Sequence, residues 1–150
     1  QEQLLGWKTV VIKGNPIKVK SEISPQLNYF NTENDRKEVI GEKSLNITDT
    51  VDFTREISQQ ISSSPYVFLE DGVYNLTAKV KNSRGFVELK MFANSGGVDY
   101  KFSIENENSS WTSIRISNIV VKDGKITIGF FANGNANSFC LFDDVTLVKK

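Results

Sequence analysis

From residue 72 onward the chain alternates apolar and polar positions with a period of two. Tyr74, Leu76, Ala78 and Val80 share one parity, and Asn75, Thr77, Lys79 and Lys81 the other. Successive side chains of a strand point to opposite faces, so this alternation predicts half-buried β-structure. The same reasoning predicts strands over Phe86–Ala93, Val98–Glu105, Trp111–Val121, a stretch through Ile126, Ile128 and Phe130, and Phe139–Val148. Parity sets Val87, Leu89 and Met91 against Phe86, Glu88, Lys90 and Phe92, with the first group inward. Turn signals fall between these runs: Asn82-Ser83-Arg84-Gly85, Asn94-Ser95-Gly96-Gly97, Lys122-Asp123-Gly124-Lys125 and Asn133–Asn137. Asp-Gly is the strongest of them, because it supplies the positive φ angles of a tight hairpin.

The first half is less regular. Thr9–Ile12 and Ile17–Lys20 read as strands around Gly14-Asn15-Pro16, and Lys43–Thr48 as a strand with Leu45 and Ile47 inward. Asp52–Ile61 alternates through Phe53, Arg55, Ile57, Gln59 and Ile61 until Ser62-Ser63-Ser64-Pro65 stops it. Residues Pro25 to Glu42 read as a long polar loop holding Tyr29, Phe30 and Arg36. Loops of that length in compact domains are uncommon and often functional. Nine or ten strands without a crossover helix predict an all-β fold. The expected architecture is an antiparallel sandwich of the jelly-roll kind, with two sheets of about four to five strands in a single module over residues 1–150.

Composition narrows the chemistry. Eighteen Lys and Arg balance eighteen Asp and Glu, which disfavours nucleic acid and anionic membrane as partners. There is no histidine, so neither a Ser-His-Asp triad nor a histidine-ligated zinc can form. Cys140 is the only cysteine and has no internal disulfide partner; among Phe139, Leu141 and Phe142 it reads as a shielded thiol. The last strand contains the adjacent acids Asp143 and Asp144 between Phe142 and Val145. Burying carboxylates is costly without compensation, and calcium is an oxygen-seeking cation suited to supply it.

Several ordered pieces carry a resemblance: Glu2 with Gly6-Trp7, Lys43–Ile47, Gln60, Leu69–Ala78, Trp111-Thr112, Gly124–Phe130 and Asp143–Leu147. Together they resemble the β-jelly-roll carbohydrate-binding modules attached to secreted polysaccharide-degrading enzymes. The stretch Val120–Lys125 to Ile128–Phe131, with Ala136-Asn137 and Asp143-Asp144 after it, is most similar to family 61, found on endo-β-1,4-galactanases. The resemblance implies an extracellular, non-catalytic module that binds β-1,4-galactan and is covalently linked to a glycoside hydrolase. It also implies a structural calcium near Glu2, Glu42 and Asp144, with Asp144 favoured over Asp143, and it makes Trp111 a core residue. The chain departs from some relatives in carrying Thr48 and Phe139 where they have tryptophan.

A sugar site needs an aromatic platform for the C–H face of a pyranose and polar groups to read its hydroxyls. Phe92 and Phe131 have outward parity. A jelly roll is expected to bring the strands of Asn46, Phe92, Lys101 and Phe131 into one sheet. Its outer face would then collect Asn46, Thr48, Glu88, Lys90, Phe92, Phe131 and Asn133. A second arrangement puts the site at the loop tips, around Tyr29, Phe30, Arg36, Asn137 and Phe139. A third buries Phe92 and Phe131 beneath the 25–42 loop. Two other functions stay open: a sandwich-type adhesion or protein-interaction domain, and a small glycan-cleaving enzyme using a carboxylate pair drawn from Glu56, Glu88, Asp99 and Glu105.

Overall fold

Among the described residues the period-two alternation resolves into ten strands, all paired antiparallel. The computed structural model describes residues 7–15, 27–28, 44–63 and 69–150. The strands are β1 (Trp7–Lys13), β2 (Leu27–Asn28), β3 (Ser44–Thr48), β4 (Phe53–Ser62), β5 (Gly72–Asn82), β6 (Phe86–Ser95), β7 (Val98–Ser103), β8 (Asn108–Val121), β9 (Lys125–Gly134) and β10 (Phe139–Lys149). They form two five-stranded sheets, in the orders β1-β4-β9-β6-β7 and β2-β3-β10-β5-β8. This is the jelly-roll sandwich that the alternation predicts. Leu27 and Asn28, expected in a loop, instead form the short edge strand β2 against β3. The predicted strand at 17–20 and the rest of the 25–42 loop lie outside the described residues.

The core lies between the sheets. Phe53, Ile57, Leu89, Met91, Ile126 and Phe130 face it from the first sheet. Ile47, Leu76, Val80, Ile114, Ile119 and Phe142 face it from the second. Phe130 and Phe142 stack across the gap, with ring centroids 3.8 Å apart. The Asp-Gly hairpin forms as expected, with Asp123 at φ 57° and Gly124 at φ 60°.

A bulge in β6 overturns the parity assignments of Phe86 and Val87. Phe86 pairs with Gly134 and Glu88 with Asn133, so Val87 is an extra residue in β6. Val87 is therefore 73% exposed rather than inward. Phe86 turns toward the core instead and meets Phe53 edge-on. In β10 the register slips by one between Asp143, opposite Lys79, and Thr146, opposite Thr77. Asp144 takes up the extra residue at φ 52°, which returns Val145 and Leu147 to the core side. Trp111 is half-buried and lies outside the core cluster, contrary to its expected place in it. The run Asn108–Trp111 sits at another register slip, between the pairs Val80–Thr112 and Asn82–Asn108.

Candidate functional site

The outer face of the first sheet can be read row by row from its register. Lys8 pairs with Ser58, Ser58 with Gly129, Gly129 with Phe92, and Phe92 with Lys101. One row thus crosses all five strands, spanning about 19 Å at the usual strand spacing. The neighbouring row runs Val10, Glu56, Phe131, Lys90 and Ser103, and beyond it Thr54, Asn133 and Glu88 adjoin. Inward-facing neighbours on the same strands, such as Ile57, Ile128 and Met91, are buried in the core.

Gly129 lies at the centre of this face. A Cβ there would fall 2.4 Å from the Ile57 carbonyl oxygen and 2.6 Å from Cζ of Phe92. The Phe92 ring therefore lies over the glycine, filling the space a side chain would take, and keeps part of its surface in solvent. Phe131, also half-buried, sits one row away with the Lys90 ammonium 5.1 Å from its ring centroid. Lys90 is also held by Glu88 at 3.2 Å. Asn133 accepts a hydrogen bond from the Thr54 hydroxyl at 3.3 Å. These contacts leave two partly exposed rings bordered by an ammonium, carboxylates and an amide, the groups that read sugar hydroxyls.

The structure brings together Glu88, Lys90, Phe92, Phe131 and Asn133 from the expected set, with Lys101 in the same sheet. It separates Asn46 and Thr48 from them. Both belong to β3, which pairs with β10 in the second sheet, Asn46 opposite Leu141 and Thr48 opposite Phe139. The chain changes sheets over the short link 49–52, so parity on β3 refers to the other face of the sandwich.

That link is pinned by a buried ion pair that sequence reasoning missed. Arg55 occupies an inward position of β4, and its Nη2 donates to Asp49 Oδ2 at 2.7 Å. Asp49 also accepts from the Asn15 and Thr50 backbone N–H groups and from the Asn15 side chain. Burial acts to raise the Asp49 pKa, but those donors and the Arg55 charge outweigh it and leave the carboxyl below its ordinary value. A charge at inward parity between Phe53 and Ile57 was the available signal.

The loop-tip arrangement is described only in part. Arg36, Tyr29 and Phe30 lie outside the described residues. Asn137 is in the β9–β10 turn at φ 68°, and Phe139 is 39% exposed beside Thr48. The Thr48 hydroxyl donates to the Ser138 carbonyl at 2.7 Å. A groove of about 490 Å³ opens at this end of the sandwich, between residues 82–86 and 104–107.

Of the expected calcium ligands, Glu2 and Glu42 lie outside the described residues, and Asp144 is at the β10 bulge. The Asp144 N–H donates to Asp143 Oδ1 at 2.8 Å. Asp143 Oδ2 is buried and has no hydrogen-bond partner among the described residues. Burial pushes the Asp143 carboxyl above its ordinary pKa, and the neighbouring Asp144 charge adds to this against the pull of the Asp144 N–H and Lys79. The unsatisfied oxygen thus belongs to Asp143, whereas the resemblance favours Asp144. No group of three or more His, Cys, Asp or Glu suited to a metal occurs among the described residues.

No protein-family model and no curated protein sequence matches the chain. Solved structures do. A family 61 carbohydrate-binding module in complex with β-1,4-galactotriose superposes with a TM-score of 0.70 at 21% identity, covering 96% of this chain and 88% of that one. The chain has the fold of a carbohydrate-binding module. The chain is also similar in fold to the family 11 module of a Clostridium thermocellum cellulosomal cellulase, with a TM-score of 0.57 at 14% identity over 99% of this chain and 91% of that one. A further match is to Clostridium thermocellum xylanase 10B, whose carbohydrate-binding and catalytic modules were solved with xylohexaose. It gives a TM-score of 0.58 at 18% identity over 97% of this chain and 26% of that one.

Proposed function

We propose that the chain is a single non-catalytic module that binds β-1,4-galactan on the outer face of its first sheet. The observation that carries this reading is the Phe92 ring laid over Gly129 in the middle of a five-strand row, with Phe131, Lys90, Glu88 and Asn133 beside it. A pyranose would stack on such a ring, and the flanking groups would read its hydroxyls. An attached glycoside hydrolase, outside the cell, would gain substrate concentration through this tether. The galactan assignment draws support from the residues that resemble family 61 and from the likeness to the galactotriose-bound module. Calcium would bind at the β10 bulge through Asp144. The Asp143 oxygen beside it, without a hydrogen-bond partner among the described residues, fits a nearby cation, whose role would be to hold the terminal strands together.

Calorimetry or affinity electrophoresis against galactan, xylan, mannan and β-glucan tests the reading. Galactan should bind, and Phe92→Ala should weaken it at least about tenfold, as expected for loss of a stacking ring worth ~1.5 kcal/mol or more. Failure to bind any of the four polysaccharides would refute a carbohydrate function and favour a protein-interaction domain. Unchanged galactan affinity in both Phe92→Ala and Phe131→Ala would move the site to the loop end, where Phe139 is exposed.

A further inference from the structure

The row through Gly129 ends in a depression of about 310 Å³ lined by Lys8, Ser58, Gln60 and Thr127. All four side chains can donate hydrogen bonds, and among the described residues no acidic group lines the depression. None of the four has a side-chain hydrogen-bond or ion-pair partner among the described residues. On the same face the other described lysines are differently placed: Lys90 is held by Glu88, Lys101 stands at the opposite end of the row, Lys13 lies opposite Thr54 two rows away, and Lys125 lies opposite Ser62, one row beyond Gln60 and Thr127. Among the described residues the closest carboxylate by register is Glu56, two residues from Ser58 along β4, or about 7 Å. It flanks Phe131 rather than the depression. Thr127 and Ser58 adjoin Gly129 along and across the strands, so the depression begins about one sugar unit from the Phe92 ring.

We propose that Lys8, Ser58, Gln60 and Thr127 form a subsite for the carboxylate of a uronic acid, adjacent to the sugar stacked on Phe92. The chemistry follows from the donors. A carboxylate is an acceptor only, whereas a neutral sugar hydroxyl both donates and accepts. An ammonium with two hydroxyls and an amide around it complements the carboxylate better, through charge-assisted hydrogen bonds. The glycan selected is then a mixed one, neutral over the aromatic platform and anionic at the β1 edge. This inference rests on the platform reading above and extends it to a second sugar class.

The test compares β-1,4-galactotriose with galactotriose oxidised to a C6 carboxylate at one end, measured by calorimetry at low and high salt. The acidic trisaccharide should bind about fivefold more tightly at low ionic strength, the scale of an exposed charge pair, and the advantage should fade in high salt. Lys8→Gln should bring the affinity ratio to about one, and Lys8→Glu should invert it, while Phe92→Ala weakens both ligands in parallel. Lys8 is exposed, so these variants should fold. Equal affinities in the unaltered protein would overturn the subsite and leave the platform standing. Binding of the acidic ligand alone would support the subsite and overturn the galactan assignment. A preference that survives both Lys8 variants would place the anion elsewhere and overturn the proposal. No binding of either ligand would overturn both readings.

Discussion

Replacing Asp49 should be the most damaging single change at the loop end of the sandwich. Its carboxylate is 8% exposed and accepts four bonds of 2.6–2.8 Å, from the Asn15 N–H, the Asn15 amide, the Thr50 N–H and Arg55. Arg55 is 5% exposed, and without Asp49 its charge would keep, among the described residues, the Thr48 and Asn15 carbonyls and the Phe53 ring, with no anionic partner. Breaking a buried pair in this way costs about 3–5 kcal/mol. Asn15 and Thr50, which bond the carboxylate, are themselves exposed, so the lower value of about 3 kcal/mol applies. Unfolding entropy for 150 residues, at roughly 2.1 cal/mol/K per residue, makes this a fall of about 10 °C in Tm for Asp49→Ala. The effect has a pH signature. The folded carboxyl is below its ordinary pKa, so the folded state binds this proton less readily than the unfolded chain does. The stabilisation is therefore present above the unfolded value of about 3.9 and is lost as pH falls through the lower folded value. Thermal melts of the unaltered protein and Asp49→Asn should differ most near neutrality and converge in acid below about pH 4. A Tm gap of under about 3 °C for Asp49→Ala would refute the energetic argument. A gap that stays constant from neutrality into strong acid would refute the electrostatic one.

Gly129→Ala should lower Tm and weaken sugar binding together, because the new Cβ meets both the Ile57 carbonyl and the Phe92 ring; calorimetry that finds full affinity would disconnect the ring's seat from binding. Cys140 is fully buried, and burial pushes its thiol well above the ordinary pKa. A thiol reagent should thus label the native protein only at its unfolding rate, and rapid stoichiometric labelling would contradict the packing. A calcium chelator should lower Tm without abolishing galactan binding, and Asp144→Ala should remove that chelator effect; a chelator that leaves Tm unchanged would eliminate the ion.

How far the sequence could be read depended on whether the next step was local. Alternation is local, and it located β5, β6, β9 and the Asp123-Gly124 hairpin closely. Phe92 and Phe131 were placed on the outer face correctly because β6 and β9 pair without a slip from Glu88–Asn133 to Asn94–Thr127. Val87 failed one residue earlier, where the bulge reverses parity; Gly85 reads as part of the turn, and Gly134, opposite Phe86, is brought there only by the pairing. Asp143-Asp144 looked like two buried charges in a regular strand, yet one of them turns the backbone at φ 52°.

Sheet membership is a different kind of quantity. Parity assigns Thr48 to one side of its strand but does not say which sheet owns that strand. For β3 the owner follows from contacts far along the chain: Thr48 with Ser138, Asn137 with Asp49, and Ala136 with Asp52. The same distinction explains why the aromatic candidates were legible and their setting was not. An outward Phe is a property of one strand. The row Lys8, Ser58, Gly129, Phe92 and Lys101 exists only once five strands have taken their register. Gly129 gave no turn signal, since its function is to be absent beneath a ring contributed by a neighbouring strand. A binding surface on a sheet is written across the chain rather than along it, so its chemistry emerges with the hydrogen-bonded register and not before.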